Sequence, residues 1–180
     1  VIAEHEQRKH RSLRMWSAGC ATGEESYTLA MCGLAALGPK AAKYDFRVFG
    51  TDLDPMALAI AKRGSYEAAK VTGVPPDLRS RWLVERGDSV TVKPELAACI
   101  RFRKHNLFGD PPIKVVDVIS CRNVFIYFSR EQQEKITRGF HTALNRGGYL
   151  VLGRSERLAP ELAEMFELVS GRERVYRKPL

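Results

Sequence analysis

The stretch Val115-Val116-Asp117-Val118-Ile119-Ser120-Cys121 constrains the fold more than any other part of the sequence. It is nearly all apolar, the pattern of a strand buried on both faces of a parallel sheet. Residues 13–17, 46–52 and 149–153 read as companion strands, and residues 24–37, 56–62 and 129–144 as helices between them. Strands alternating with helices predict a doubly wound α/β sheet. Residues 166–169 and 174–177 read as an antiparallel pair, so the sheet is expected to finish on a terminal hairpin.

Local signals mark the ends of the elements. Thr22 is placed to cap the helix at 24–37, with Glu25 as its capping-box partner, and Gly38-Pro39 stops that helix. Pro55 starts the next helix. Ser129 and Gln132 make a second box, and Gly147-Gly148 ends the helix that follows. Residues 3–12 are charged and read as a leading helix. The middle of the chain departs from the pattern. Arg86-Gly87-Asp88-Ser89 is a turn, residues 90–92 are strand-like and residues 100–104 alternate, so a small β-hairpin insertion is expected at about 83–104.

With 180 residues, 44% hydrophobic and 28% charged, the chain has the makeup of one globular domain. No apolar run approaches the roughly 18 residues of a membrane helix, so no membrane insertion is expected. The net charge of +8 permits a nucleic acid, an acidic protein or an anionic cofactor without choosing among them. The densest basic cluster, Arg8-Lys9-His10-Arg11, reads as a solvated helix end. Cys20, Cys32, Cys99 and Cys121 form no Cys-x-x-Cys, and His5, His10, His105 and His141 are dispersed, so no metal site is expected. Cys20, Cys32 and Cys121 are expected to be buried free thiols, which fits a reducing, cytoplasmic compartment.

Ligands of open α/β sheets bind at the carboxyl ends of the strands. Three groups of residues fall there. Ala18-Gly19-Cys20-Ala21-Thr22-Gly23 is a glycine turn that lets a ligand approach the backbone, although it lacks the dinucleotide pattern Gly-x-Gly-x-x-Gly. Asp52, in Thr51-Asp52-Leu53-Asp54, can accept both hydroxyl hydrogens of a ribose. Asn106-Leu107 suits an adenine, the amide bonding its edge and the leucine packing its face. Together they describe an adenosine pocket. No Gly-Lys-Ser/Thr phosphate loop accompanies it, so S-adenosylmethionine fits better than a nucleotide. Glu24 and Glu25 are placed to meet cationic groups of such a cofactor. After the buried strand, Arg122 and Asn123 form a polar set, and Tyr127 follows one helical turn later. Asn123 would bond the methionine part and Tyr127 would face the methyl group, while Phe125, Ile126 and Phe128 are expected in the core.

The motifs from Trp16 to Glu25, Gly50-Thr51-Asp52-Leu53-Asp54, Asn106-Leu107 and Ser120 to Phe128 closely resemble those of the CheR-type chemotaxis receptor methyltransferases. The likeness extends to Gly153-Arg154-Ser155-Glu156. It implies a class I, Rossmann-like S-adenosylmethionine-dependent methyltransferase domain over residues 1–180. The implied reaction methylates glutamate side chains of chemoreceptors, giving glutamyl methyl esters and S-adenosylhomocysteine. By the family pattern Ala18, Gly19, Thr22, Glu25, Asp52, Asn106, Leu107 and Asn123 line the cofactor. Tyr127 lies beside the methyl group, and Arg122 would help to orient the glutamate. The family also carries a small helical N-terminal domain and a Phe-Phe-Arg stretch. That arginine is thought to help the active site, and neither feature is present in these 180 residues. The resemblance implies the cytoplasmic domain of chemoreceptors as partner, with a receptor peptide docking on the inserted hairpin by strand addition. The turn at 86–89 is short, as in members that need no such tether.

Two rival functions define alternatives. A non-catalytic cofactor-binding or docking module would bind without turnover. A nucleic-acid methyltransferase is the other, but Asp110-Pro111-Pro112-Ile113 lacks the aromatic residue of the amino-methylating motif and precedes its strand, so no nucleic acid is expected as partner.

Overall fold

The computed structural model describes residues 1–7 and 11–180, so residues 8–10 of the expected basic helix end at 8–11 lie outside them. Arg11 is not helical and Ser12 already opens a strand, so the leading helix does not run to residue 12 as expected. The chain runs through α1 (Ile2–Gln7), β1 (Ser12–Ala18), α2 (Glu24–Leu37), β2 (Asp45–Asp52) and α3 (Pro55–Arg63). It continues through β3 (Ser65–Glu67), α4 (Pro76–Trp82), β4 (Leu83–Arg86), β5 (Ser89–Val92) and α5 (Pro94–Ala97). The last part comprises β6 (Ile100–Lys104), β7 (Val116–Cys121), α6 (Arg130–Ala143), β8 (Leu144–Leu152), α7 (Pro160–Ala163), β9 (Glu167–Ser170) and β10 (Val175–Arg177).

Among the described residues the main sheet has seven strands in the order β6-β2-β1-β7-β8-β10-β9. The pairs from β6 to β8 are parallel, and β10 is antiparallel to both β8 and β9. The order reverses at β1, with β2 on one side and β7 on the other, which puts the switch point at the carboxyl ends of these three strands.

Alternation along β1 divides the core between the two faces of the sheet. Leu13 and Met15 join one cluster with Tyr27, Met31, Phe46 and Val48, beneath α2. Trp16 and Ala18 join the other with Ile119, Ile136, Phe140 and Leu150, beneath α6. Ile119 is wholly buried, and burial of such a side chain contributes about 1.5–3 kcal/mol.

Three local expectations need correction. The helix α2 begins at a left-handed Gly23 with no side-chain cap; Thr22 Oγ1 donates to Glu24 Oε2 at 2.6 Å instead. The reason is that the first helical bond runs from Tyr27 N to Gly23 O, one residue later than a Thr22 cap requires. At the other helix the Ser129–Gln132 capping box is present. Gly147-Gly148 is no helix end. Strand β8 starts at Leu144, and a register shift against β7 takes up the glycine segment.

The insertion is also bounded differently. The hairpin β4–β5 is joined by β3 in a three-stranded sheet of order β3-β5-β4, whereas β6 pairs with β2 in the main sheet. Residues 100–104 therefore do not belong to the insertion. Gly87 takes φ +58°, the positive φ that a two-residue hairpin turn needs. Tyr66, Leu83, Val90 and Val92 share the α2-side core, so the small sheet has no core of its own. Tyr66 also ties it to the glycine turn, its hydroxyl donating to Thr22 O at 2.8 Å.

Candidate functional site

The turn after β1 is fixed by the end of β2. Gly19 N and Cys20 N both donate to Thr51 O at 2.8 Å, and Ala21 N donates to Asp52 Oδ2 at 2.8 Å. Gly19 adopts φ +76°, and a Cβ there would come within 2.6 Å of Val124, so glycine is required for both conformation and space. Asp52 Oδ1 accepts from Asp54 N at 3.0 Å. An ionised carboxylate has about four acceptor sites. Asp52 spends two on the backbone and keeps the others for a ligand.

These groups border a cavity of about 410 Å³ at the carboxyl ends of the strands, within the size range of small-molecule sites. One side is Gly19, Ala21, Asp52 and Leu53. The second is His105, Asn106 and Leu107. The third is the loop after β7, with Arg122, Asn123, Val124, Tyr127 and Phe128. Asn106 Oδ1 accepts from Phe108 N and Gly109 N, which leaves its amide nitrogen as the donor available for a base edge. His105 is buried, with Nε2 3.0 Å from Pro111 O and its ring edge-on to Trp16.

Of the residues expected from the sequence, Gly19, Asp52, Asn106, Leu107, Arg122, Asn123 and Tyr127 line this cavity. Ala18 is fully buried in the sheet. Thr22 is engaged with Glu24. Glu25 lines a neighbouring cavity of about 320 Å³ with Ser120 and Arg154, and Arg122 borders both spaces. There Glu25 Oε1 accepts from Ser17 Oγ at 2.8 Å, and Arg122 Nη1 stands 4.0 Å from Oε2. Burial raises the Glu25 carboxyl above its ordinary value, opposed by the Ser17 and Ser120 hydroxyls and then by Arg122.

Two side-chain expectations are corrected. Ile126 is exposed, while Phe125 is core, because a 3-10 turn over Phe125–Tyr127 points Ile126 and Tyr127 outward. Cys32 lies on the exposed flank of α2. Cys121 is fully buried and its thiol is pushed well up by burial, so it stays protonated and unreactive at neutral pH.

Sequence reasoning gave no role to Glu156. Its buried carboxylate accepts from Asn123 N, Val124 N, Phe125 N and Gly153 N at 2.6–2.9 Å. The available signals were the Gly-x-x-Glu spacing of residues 153–156 after a buried strand and the family likeness that reaches those residues. A further cavity of about 360 Å³ opens at the other end of β7, around Asp117 and Asn145. It lies at the amino end, away from the switch point where such sheets bind their ligands.

The donor set of the 410 Å³ cavity fits S-adenosylmethionine: a carboxylate with spare lone pairs, apolar Leu53 and Leu107, and an amide donor at Asn106. The comparisons agree. The chain is 37% identical over 160 residues to a probable chemotaxis protein methyltransferase of Rhizobium etli, covering 86% of this chain and 59% of that protein. It is 39% identical over 146 residues to the chemotaxis protein methyltransferase of Listeria monocytogenes, covering 81% and 54%. The chain thus spans little more than half the length of these relatives. A TehB-like SAM-dependent methyltransferase of Corynebacterium glutamicum superposes with a TM-score of 0.55 at 19% identity, over 96% of this chain and 82% of that one. That likeness bears out the class I, Rossmann-like fold; the terminal hairpin and the inserted sheet are seen in the chain's own strand pairing. The family model described as CheR methyltransferase, SAM binding domain, matches residues 1–175, and S-adenosylmethionine is its cofactor; the chain belongs to the CheR methyltransferase family.

Proposed function

We propose that the protein transfers the methyl group of S-adenosylmethionine to glutamate side chains of chemoreceptors, leaving glutamyl methyl esters and S-adenosylhomocysteine. The observation that carries this reading is one cavity shared by the half-satisfied Asp52, the Asn106-Leu107 pair, and Arg122 with Tyr127. The names of the relatives, chemotaxis protein methyltransferases, support the substrate class.

The bound cofactor supplies a methyl group on a cationic sulfur. A glutamate side chain is already ionised at neutral pH, so the acceptor needs no general base. Alignment and partial desolvation then carry the rate. Asp52 and Asn106 hold the nucleoside end. Arg122, between the two cavities and about half exposed, holds the incoming carboxylate through charge-assisted hydrogen bonds. Tyr127, 80% exposed at the cavity edge, is placed to cover the reacting group and exclude water. The partner is the receptor's cytoplasmic domain, and a cytoplasmic setting is part of the proposal. Only Gly87 and Asp88 separate β4 from β5, and the proposal requires no receptor tether on that hairpin.

The test is incubation with methyl-tritiated S-adenosylmethionine and a receptor cytoplasmic fragment. The expected result is label on the receptor that mild alkali releases as methanol. Alkali-stable label, or preferential label on RNA or DNA added to the same incubation, overturns the reading. Cofactor binding with no transfer at all supports the non-catalytic module instead.

A further inference from the structure

The loop after β7 carries Arg122, Asn123 and Tyr127, yet little regular structure holds it. Asn123 sits at φ +59°, in the left-handed region, and Val124 follows at φ −118°, ψ −38°. A left-handed residue beside a right-handed one turns successive N–H groups toward a common point, a backbone nest that ordinarily receives an anion. Here the N–H groups of Asn123, Val124 and Phe125 converge on Glu156. Oε1 takes Val124 and Phe125, each at 2.8 Å; Oε2 takes Asn123 at 2.9 Å and Gly153 at 2.6 Å. All of the roughly four acceptor sites of the carboxylate are therefore filled. Glu156 is 5% exposed, and among the described residues no ion pair to it is found. Its charge is met by N–H dipoles alone. Gly153 completes the fit, since a Cβ there would stand 2.6 Å from Glu156 Oε2 and 3.0 Å from Asn123 N.

We infer that Glu156 is the internal anion of this nest and the positioning residue that sets Asn123, and with it Arg122 and Tyr127, toward the cofactor. The inference rests on the assignment of the 410 Å³ cavity to S-adenosylmethionine. Glu156 touches no ligand. It acts through the backbone of the loop, from a position 33 residues away from Asn123 in sequence. An amide in place of the carboxylate turns an NH₂ group toward two N–H donors, which no rotation of the side chain avoids.

The experiment is calorimetric titration with S-adenosylhomocysteine, combined with thermal unfolding, on the wild-type chain, Glu156→Gln, Glu156→Asp and Asp117→Asn. Asp117 is an equally buried carboxylate at the other end of the sheet, bonded to Arg14 N and Asn145 Nδ2. Glu156→Gln is expected to unfold cooperatively but to bind about tenfold or more weakly. Asp117→Asn is expected to lower the melting temperature and leave the affinity unchanged. A merely structural Glu156 would behave like Asp117, so a folded Glu156→Gln binding within about twofold of wild type overturns the inference. Should Glu156→Gln not fold, Glu156→Asp decides. It keeps the charge one methylene short of the nest, and wild-type affinity in that variant overturns the inference. Failure of the wild type itself to bind refutes the cofactor assignment on which the inference rests, whereas a normally binding Glu156→Gln overturns the inference alone.

Discussion

Asp52 and Glu156 stand at the same end of the sheet, and backbone N–H groups hold both. Asp52 is half-buried at the cavity wall and accepts two such bonds, from Ala21 and Asp54. Glu156 is buried behind the cavity and accepts four. Against a carboxylate's capacity of about four, the first is half spent and the second full. The difference separates recognition from support. A fixed carboxylate with lone pairs to spare is oriented in advance for a pair of hydroxyls. A saturated one has nothing left for a ligand and instead shapes the chain around it.

The sharpest way to break this comparison is Asp52→Ala. The backbone groups it releases are exposed, so water replaces the lost acceptor and the stability cost stays near 1 kcal/mol. The ligand, however, loses two charge-assisted bonds, which is about 100-fold or more in S-adenosylhomocysteine affinity by calorimetry. A large loss of stability with little loss of affinity would reverse the roles given to the two carboxylates.

Glu25 supplies an intermediate case, a carboxylate satisfied by a hydroxyl and a nearby guanidinium, with its pKa raised chiefly by burial. A raised folded-state pKa means that the folded chain binds this proton more tightly than the unfolded chain does. The contribution to stability is full below the ordinary value of 4.5 and is lost as pH rises through the raised one. Glu25→Gln does not titrate. Its melting temperature relative to wild type is therefore expected to rise between about pH 4 and pH 7. A difference that is flat or falls over that range would show that partners, and not desolvation, dominate at Glu25.

Smaller effects are expected at the two helix starts, where the same accounting of N–H groups applies. Ser129 Oγ accepts from Gln132 N, so Ser129→Ala should cost about 1 kcal/mol in urea unfolding. Thr22 caps nothing, and Thr22→Ala should stay within about 0.5 kcal/mol. Equal costs would restore the Thr22 cap that the sequence suggests.

What was legible in the sequence was local. The apolar run of β7, the Ser129–Gln132 box and the glycine turn before α2 each declare themselves within a few residues. Seven of the residues expected at the site meet in one cavity because doubly wound sheets gather the carboxyl ends of successive strands. What escaped depends on tertiary partners. Ser65-Tyr66-Glu67 is too short to announce itself and becomes a strand only against β5. The glycines of β8 look like a helix stop until the register with β7 is known. Glu156 reads as one more charged residue in a loop until the chain folds back and presents three N–H groups to it.

The most direct test of the account is a thermodynamic cycle at Asp52. Wild type and Asp52→Ala are each titrated with S-adenosylhomocysteine and with its 2′,3′-dideoxyribose analogue. If Asp52 spends its spare lone pairs on the ribose hydroxyls, the substitution weakens the parent ligand by about 100-fold and leaves the affinity for the analogue almost unchanged. Equal weakening of both ligands would contradict the account and place the work of Asp52 in the turn it anchors.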